Sequence, residues 1–201
     1  FNKDSIQKNL NRLKPAKKQT TTFTLDIKNL KNGSYPALIT IEYEDINGYK
    51  LSTVSHAIFI KNKAKKADFN LQIDSTQLHK KGTLNAKILN NNKEKNINLT
   101  LHLPNEFSYT KNKKVKSTKG ETKINFEIEN QKGLEKSVYP AILIAEYEND
   151  YHYTEISNSR IAITKSHQID PLILILIILV ITFSYIQVNN YVKENKKKSE
   201  I

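Results

Sequence analysis

Apolar and polar residues alternate with a period of two in nearly every segment between residues 63 and 165. Phe69, Leu71 and Ile73 alternate with polar neighbours, and the same pattern recurs at 84–88, 97–103 and 124–128. Because successive side chains of a strand point to opposite faces, this pattern predicts strands with one buried and one hydrated face. Gly, Pro and Asn residues fall between these segments, as turns require. The sequence therefore predicts an all-β fold built from antiparallel strands.

A block of ten residues occurs twice. Residues 35–44 read YPALITIEYE and residues 139–148 read YPAILIAEYE, 104 positions apart. The preceding segments also match (23–29 against 124–130), as do the following ones (57–60 against 160–163). A period of about 100 residues is the size of one sandwich domain. We therefore predict two tandem units. Residues 1–62 hold the last strands of an incomplete repeat whose earlier strands lie upstream of Phe1, and residues 63–165 form a complete repeat.

Parts of this pattern resemble known surface domains. The run from Gly33 through Tyr-Pro-Ala to Glu-Tyr-Glu is similar to the late strands of bacterial and archaeal Ig-like surface domains, of the CARDB-like or alpha-galactosidase-associated type. Leu101-His-Leu-Pro-Asn105 resembles their strand-ending turn, and the segment 119–126 resembles their next strand. The resemblance implies an Ig-like β-sandwich in which Tyr35 and Tyr139 are structural, each forming a tyrosine corner with nearby backbone.

The C-terminal segment has a different character. Residues 171–188 read PLILILIILVITFSYIQV and carry no charge. At 1.5 Å per residue such a helix spans about 27 Å, close to the thickness of a bilayer's hydrocarbon core. The sequence predicts one transmembrane helix at 171–188, preceded by a linker at 166–170, with the lipid bilayer as its partner.

The flanks of this segment predict its orientation. Positive charge beside a span tends to stay in the cytoplasm, and the tail at 189–201 is rich in lysine: Lys193, Lys196, Lys197 and Lys198. We therefore expect a single-pass protein of the cell membrane with its β-domains outside the cell. No LPxTG motif precedes the segment, so the helix itself is the predicted anchor. A tail-anchored protein with a cytosolic β-domain is the alternative topology.

Charge and composition limit the kinds of partner and site that we expect for this chain. The chain has a net charge of +12 and no Cys, which excludes disulfides and thiolate metal sites. Arg occurs only at Arg12 and Arg160 and the lysines are scattered, so we expect no nucleic-acid binding. Lysines cluster at 61–66, between the repeats, and at 111–116, in a predicted loop. We interpret them as charges that keep strand edges from pairing. Contact with an anionic wall polymer or with lipid headgroups near the membrane is the alternative.

Few residues suggest site chemistry. The repeated acidic residues, weak candidates for a Ca²⁺ site, are Glu42, Glu44, Asp45, Glu146 and Glu148. Residues two apart on a strand share a face, so a hydrated face explains them better, and we predict no metal site. Asn32 and Asn98 lie in N-glycosylation sequons. The chain shows no phosphate-binding loop and no nucleophile elbow, so we expect no catalytic residue, no cofactor and no enzyme activity.

Together these features predict a membrane-anchored extracellular stalk, or an adhesion or interaction module that meets another surface protein. Two alternatives stay open. The chain could supply accessory domains and the anchor of a larger extracellular enzyme, such as a glycoside hydrolase or protease, whose catalytic part lies upstream. It could also be a subunit of a membrane complex, although the helix has no GxxxG motif.

Overall fold

The computed structural model of the chain describes residues 6–10, 17–165 and 171–198. The first strands form a long hairpin, β1 (Gly33–Glu44) and β2 (Lys50–Lys61). The remaining elements follow in chain order: β3 (Phe69–Ile73), β4 (Thr76–Leu78), β5 (Lys81–Asn90), β6 (Lys95–His102), β7 (Phe107–Tyr109), β8 (Asn112–Ser117), β9 (Gly120–Asn130), β10 (Val138–Glu148), β11 (His152–Ile163) and α1 (Pro171–Lys198).

The strands form two sheets. One has the order β3-β5-β9-β7, and the other runs β2-β1-β11-β10-β6-β8 with β4 beside β11. Neighbouring strands are antiparallel, except that β1 and β4 each pair in parallel with β11. The all-β sandwich of mostly antiparallel strands predicted from the alternation is confirmed.

The core lies between the two sheets. Its buried side chains alternate along the strands as predicted: Leu84 and Phe126 from one sheet and Leu99 and Leu143 from the other are fully buried. The buried members of this cluster all fall within 67–163, inside the predicted second unit. The boundary between the units at residues 62 and 63 stays a prediction.

The lysine-rich segment at 111–116 is not a loop, so this prediction was wrong. Residues 112–117 form β8, which pairs with β6 at the edge of the larger sheet. Val115 packs against the core while lysines flank it. The lysines weaken the alternation of apolar and polar residues by which a strand is recognised in a sequence. Charged side chains are nevertheless common on edge strands, because they discourage pairing with other chains.

The repeat produces two equivalent hairpins, with a one-residue difference from the sequence match. Tyr35 pairs with Phe59 in β1–β2, and Tyr139 pairs with Ile161 in β10–β11. Phe59 is therefore the equivalent of Ile161, whereas the sequence match at 57–60 set it against Ala162. The lengths of the two turns explain this shift. Residues 45–49 connect the strands of the first hairpin, whereas the shorter turn at 149–151 connects the strands of the second. A one-residue slip matters, since it assigns every side chain to the opposite face.

The segment 23–29 also differs from its match. Its counterpart lies in β9, between β5 and β7, whereas residues 17–27 form no strand. The backbone N–H and C=O groups of a strand need hydrogen-bond partners on a neighbouring strand. The described residues before β1 form no strand that could provide them.

The C-terminal helix is longer than predicted. The span was placed at 171–188, but α1 continues to Lys198, so the lysines of the predicted tail lie on the helix. The predicted linker at 166–170 and residues 199–201 lie outside the described residues. Among the residues that the structure describes, no helix combines the length and apolar content needed to cross a membrane.

Candidate interaction surface

The hairpin β1–β2 is fastened to the sandwich at two places, which we call the hairpin junction. At the first, the start of β1 meets the start of β11. The His152 N–H donates to the Asn32 carbonyl (2.9 Å), and the Thr154 hydroxyl donates to the Ser34 carbonyl (2.7 Å). Gly33 lies so close to His152 that an added Cβ would be 2.1 Å from the His152 carbonyl oxygen. Only glycine allows the two backbones to approach this closely.

The second fastening is a carboxyl group at the opposite end of the hairpin. Glu106 is 3% exposed, and its two carboxyl oxygens accept from the Ser52 N–H and the Ser52 hydroxyl, each at 2.6 Å. The Ser52 hydroxyl also accepts from the Asn105 N–H at 2.7 Å. Hydrogen bonds to carboxylates are stronger than neutral ones, and a buried group left without its partner is costly. This contact therefore fixes β2 against the turn before β7.

Between the two fastenings the contact is apolar. Ile142 and Ile144 of β10 point away from the main core, and Val54 of β2 covers them, with Leu38 and Ile156 beside it. All three central residues are less than a tenth exposed. The outer face of β10 is thus buried by the hairpin, so β1–β2 and the sandwich pack as one body.

An exposed ion pair adds to the first fastening. The Lys31 ammonium lies 2.5 Å from the Glu148 carboxylate. The hydrogen bond from Lys31 lowers the pKa of Glu148, and the same bond raises the pKa of Lys31. Both side chains are about half exposed, so solvent screening limits what the pair adds to stability.

The two tyrosines with predicted structural roles both bond to the backbone before their strand. The Tyr35 hydroxyl donates to the Lys31 carbonyl (2.9 Å), and the Tyr139 hydroxyl accepts from the Leu134 N–H (2.8 Å). Burial raises the pKa of both phenols. Tyr35 also stacks on the His152 ring, with centroids 4.2 Å apart, so it belongs to the hairpin junction as well.

The acidic candidates do not converge on one site. Glu42 accepts from Asn105, Asp45 accepts from the backbone of its own turn, and Glu148 pairs with Lys31. Glu146 lies 3.1 Å from the His152 ring, while Glu44 is exposed at the end of β1. In the described parts of the chain, no three His, Cys, Asp or Glu side chains are grouped as metal ligands would be.

Both sequon asparagines are exposed. Asn32 lies just before β1, where its side-chain oxygen accepts from Asn62 (2.7 Å). Asn98 lies in the middle of β6, between Lys114 of β8 and Glu146 of β10. Glycosylation at either site stays a prediction.

A polar cluster that the sequence did not predict ties the start of β3 to the larger sheet. Asp68 accepts from Tyr147 (2.9 Å) and Asn92 (3.0 Å) and pairs with Lys95, whose ammonium also lies over the Tyr147 ring. Burial alone would raise the pKa of Asp68, but the hydrogen bonds from Lys95, Tyr147 and Asn92 outweigh it and lower that pKa. Burial raises the pKa of Tyr147, and its bond to Asp68 adds to the shift.

We expect Asp68→Asn to destabilise the sandwich by about 1 kcal/mol at pH 7, a small value because the side chain is 37% exposed. A carboxylate with a lowered folded-state pKa stabilises fully above its unfolded pKa, near 3.8, and loses that effect as pH falls through the folded value. The difference between wild type and variant should therefore shrink below about pH 4 in urea titrations. Asp74→Asn, at an exposed position, is the matched control. A difference that stayed constant down to pH 2 would contradict the assignment.

Comparison with known proteins finds likeness only at the level of structure. No protein-family model matches the chain, and no curated protein matches it significantly. A PapD-like domain of human CEP192 is similar over 54% of this chain and 95% of its own length, with 9% identity and a TM-score of 0.36. The periplasmic chaperone SfaE covers 50% of this chain with 11% identity and a TM-score of 0.31, and this chain spans 59% of SfaE.

A cohesin from the archaeon Archaeoglobus fulgidus is similar over 48% of this chain and 92% of its own length, with 14% identity and a TM-score of 0.30. Likeness this low says nothing about function. The assignment as a β-sandwich rests on the two sheets and the core between them.

Proposed function

We propose that the chain is a non-catalytic, membrane-anchored surface module whose tandem Ig-like units, resembling the CARDB-like or alpha-galactosidase-associated type, act as a stalk or as an adhesion and interaction module. The sandwich and its docked hairpin form the rigid part, and α1 forms the anchor. The N-terminal units face the outside, and the lysine-rich end of α1 faces the cytoplasm. Its partners are the bilayer and a second surface protein or an anionic wall polymer.

The exposure of α1 is the observation that carries this proposal. Its described large apolar side chains between Ile175 and Val188 are all more than half exposed, among them Leu176 and Ile181 at 62%. An apolar surface of this extent is not stable in water, so it marks a partner or a membrane. The sequence favours a membrane, because 171–188 is apolar on every side of the helix and carries no charge.

Two hydroxyl groups of this segment support a membrane as well. The Thr182 hydroxyl donates to the Ile178 carbonyl and the Ser184 hydroxyl donates to the Val180 carbonyl, each at 2.8 Å. Hydroxyls bonded back to their own helix need no water, which is the condition that a bilayer imposes.

The rigid attachment of the hairpin supports a positional role. Hydrogen bonds at both ends of the hairpin and the apolar contact between them resist bending between β1–β2 and the sandwich. β11 ends at Ile163 and α1 begins at Pro171, so the length of the sequence between them limits how far the sandwich can lie from the membrane.

Membrane extraction tests the anchor. We expect the wild-type chain to resist alkaline carbonate, whereas Ile178→Lys combined with Ile181→Lys should release it, because a charge at the centre of a span costs about 3 kcal/mol. Asn189→Lys combined with Asn190→Lys adds the same charge just past the apolar segment 171–188 and should leave the chain in the membrane. Release of the wild-type chain by carbonate, or retention of the first variant, would contradict the proposal.

A further inference from the structure

One face of the hairpin β1–β2 is largely apolar and open to solvent, and its two polar positions are Thr53 and Ser55, opposite Ile41 and Ile39. Ile39, Ile41 and Tyr43 are 41%, 48% and 50% exposed. Cross-strand partners share a face of a sheet, so Leu51, opposite Tyr43, and Ala57, opposite Ala37, lie on the same side. We call Ala37, Ile39, Ile41, Tyr43, Leu51 and Ala57 the open face. It is the side of the hairpin opposite Leu38 and Val54, which pack on the sandwich.

The second copy of the repeat shows how the equivalent face is packed. The equivalents of Ala37, Ile39 and Ile41 are Ala141, Leu143 and Ala145, all 0% exposed. The β3-β5-β9-β7 sheet covers them, and its aromatic rings pack on the tyrosines of β10. Phe107 lies edge-on to Tyr139, with centroids 5.1 Å apart, and Phe69 lies 5.7 Å from Tyr147. The same pattern is therefore covered in one unit and bare in the other.

A segment of the chain has the pattern needed to cover it. In 23–29, Phe23, Leu25 and Ile27 alternate with polar residues, and Phe23 and Leu25 are 41% and 47% exposed. The matching residues of β9, Ile124, Phe126 and Ile128, are at most 6% exposed. In the sandwich, β9 belongs to the sheet that faces β10.

The chain between 23–29 and β1 is long enough for this packing. Packed sheets lie about 10 Å apart, and the six residue steps from Asn29 to Tyr35 can span about 20 Å. Tyr35 also bonds to the loop just before its strand, as Tyr139 does in the complete unit.

We propose that the segment 23–29 packs across the open face as a strand of a second sandwich, in the position that β9 occupies over β10. The strand requires neighbours in its own sheet, as β9 has β5 and β7, and it forms where these are supplied. The proposal rests on the tandem units of the proposed function and does not depend on the membrane anchor, so failure of the anchor test leaves it standing.

Cysteine crosslinking in the protein on its own cells tests this packing, and the chain's lack of Cys makes the readout specific to the introduced pair. We expect Leu25→Cys with Ile41→Cys to form a disulfide within one chain under mild oxidation, because facing side chains of two packed sheets can lie within disulfide distance. Thr24→Cys with Ile41→Cys is the matched control, because Thr24 lies on the other face of the proposed strand. The yield should be at least about tenfold higher for the first pair, since packing raises the effective concentration of the two thiols.

A thiol-accessibility assay of the single variant Ile41→Cys shows whether the open face is covered at all. Protection of Cys at this position together with the crosslink within one chain supports the proposal. A freely labelled thiol shows that the face stays open, a product between two chains assigns the face to a second copy, and protection without a crosslink assigns it to another partner. Each of these three results overturns the proposal.

Discussion

A Gly33→Ala variant is expected to release the start of the hairpin from the sandwich. The new Cβ would lie 2.1 Å from the His152 carbonyl oxygen and 2.7 Å from the His152 nitrogen, and backbone atoms cannot move aside as a flexible side chain can. Gly33 also has a φ of 151°, which residues with a side chain rarely adopt. Amide hydrogen exchange should report the change. The His152 and Thr154 amides, which donate to Asn32 and Ser34, should lose at least about tenfold in protection, or about 1.4 kcal/mol.

The control for this variant is Gly120→Ala. Gly120 also has a positive φ, 107°, but an added Cβ there would meet no atom within 4 Å. This variant introduces backbone strain, which costs about 1–3 kcal/mol, without a steric clash. It should not change amide exchange at His152. Wild-type protection of the His152 and Thr154 amides in Gly33→Ala would show that β1 and β11 are not in close contact.

Glu106→Ala is expected to free the other end of the hairpin. The change leaves the Ser52 N–H without its acceptor in a buried place and removes both hydrogen bonds to the carboxyl group. The docked hairpin should lose about 3 kcal/mol, because bonds to a carboxylate are worth more than neutral ones and a buried unpaired donor is costly. The Ser52 and Asn105 amides should therefore exchange about a hundredfold faster, while the amides of β9 keep most of their protection.

Two further variants serve as comparisons for Glu106→Ala. Glu106→Gln keeps the shape but cannot accept at both atoms, so its effect should lie between wild type and alanine. Glu94→Ala removes a carboxylate that pairs with Lys116 on the surface, 2.8 Å away, and should change stability by less than about 0.5 kcal/mol. Equal effects of Glu94→Ala and Glu106→Ala would contradict a special role for Glu106.

Local pattern in the sequence was sufficient for β3, β5, β6 and β9 but not for β4, β7 and β8. Alternation at 69–73, 84–88, 97–103 and 124–128 corresponds to β3, β5, β6 and β9, because one face of each is buried in the core. β8 was missed because an edge strand buries little, and its lysines hide the alternation. The short strands β4 and β7 have too few residues to show a period.

One signal of the hairpin junction was present in the sequence and was not used. Residues 141–145 of β10 read AILIA, with no polar residue to face water. A strand that is apolar on both faces is covered on both. This pattern could have predicted a second layer over Ile142 and Ile144, although not that Val54 supplies it.

The polar parts of the junction could not be predicted from sequence. Glu106 and Ser52 are 54 positions apart, and Thr154 and Ser34 are 120 apart, so no spacing rule joins them. Gly33 was part of the quoted pattern, but the second repeat has Ser137 at the same place, which hides the requirement for glycine. Such contacts depend on how the hairpin packs on the sandwich and not on the period within either.

Protease accessibility on intact cells, read with an antibody to residues 63–165, tests the outward-facing, anchored module most directly. The proposed topology predicts that external protease removes this epitope without lysis, while a tag after Ile201 survives until the membrane is opened. An epitope that is protected in intact cells and lost only after lysis would contradict it, because the sandwich would then lie on the cytoplasmic side, where it could act neither as an extracellular stalk nor as a surface adhesin.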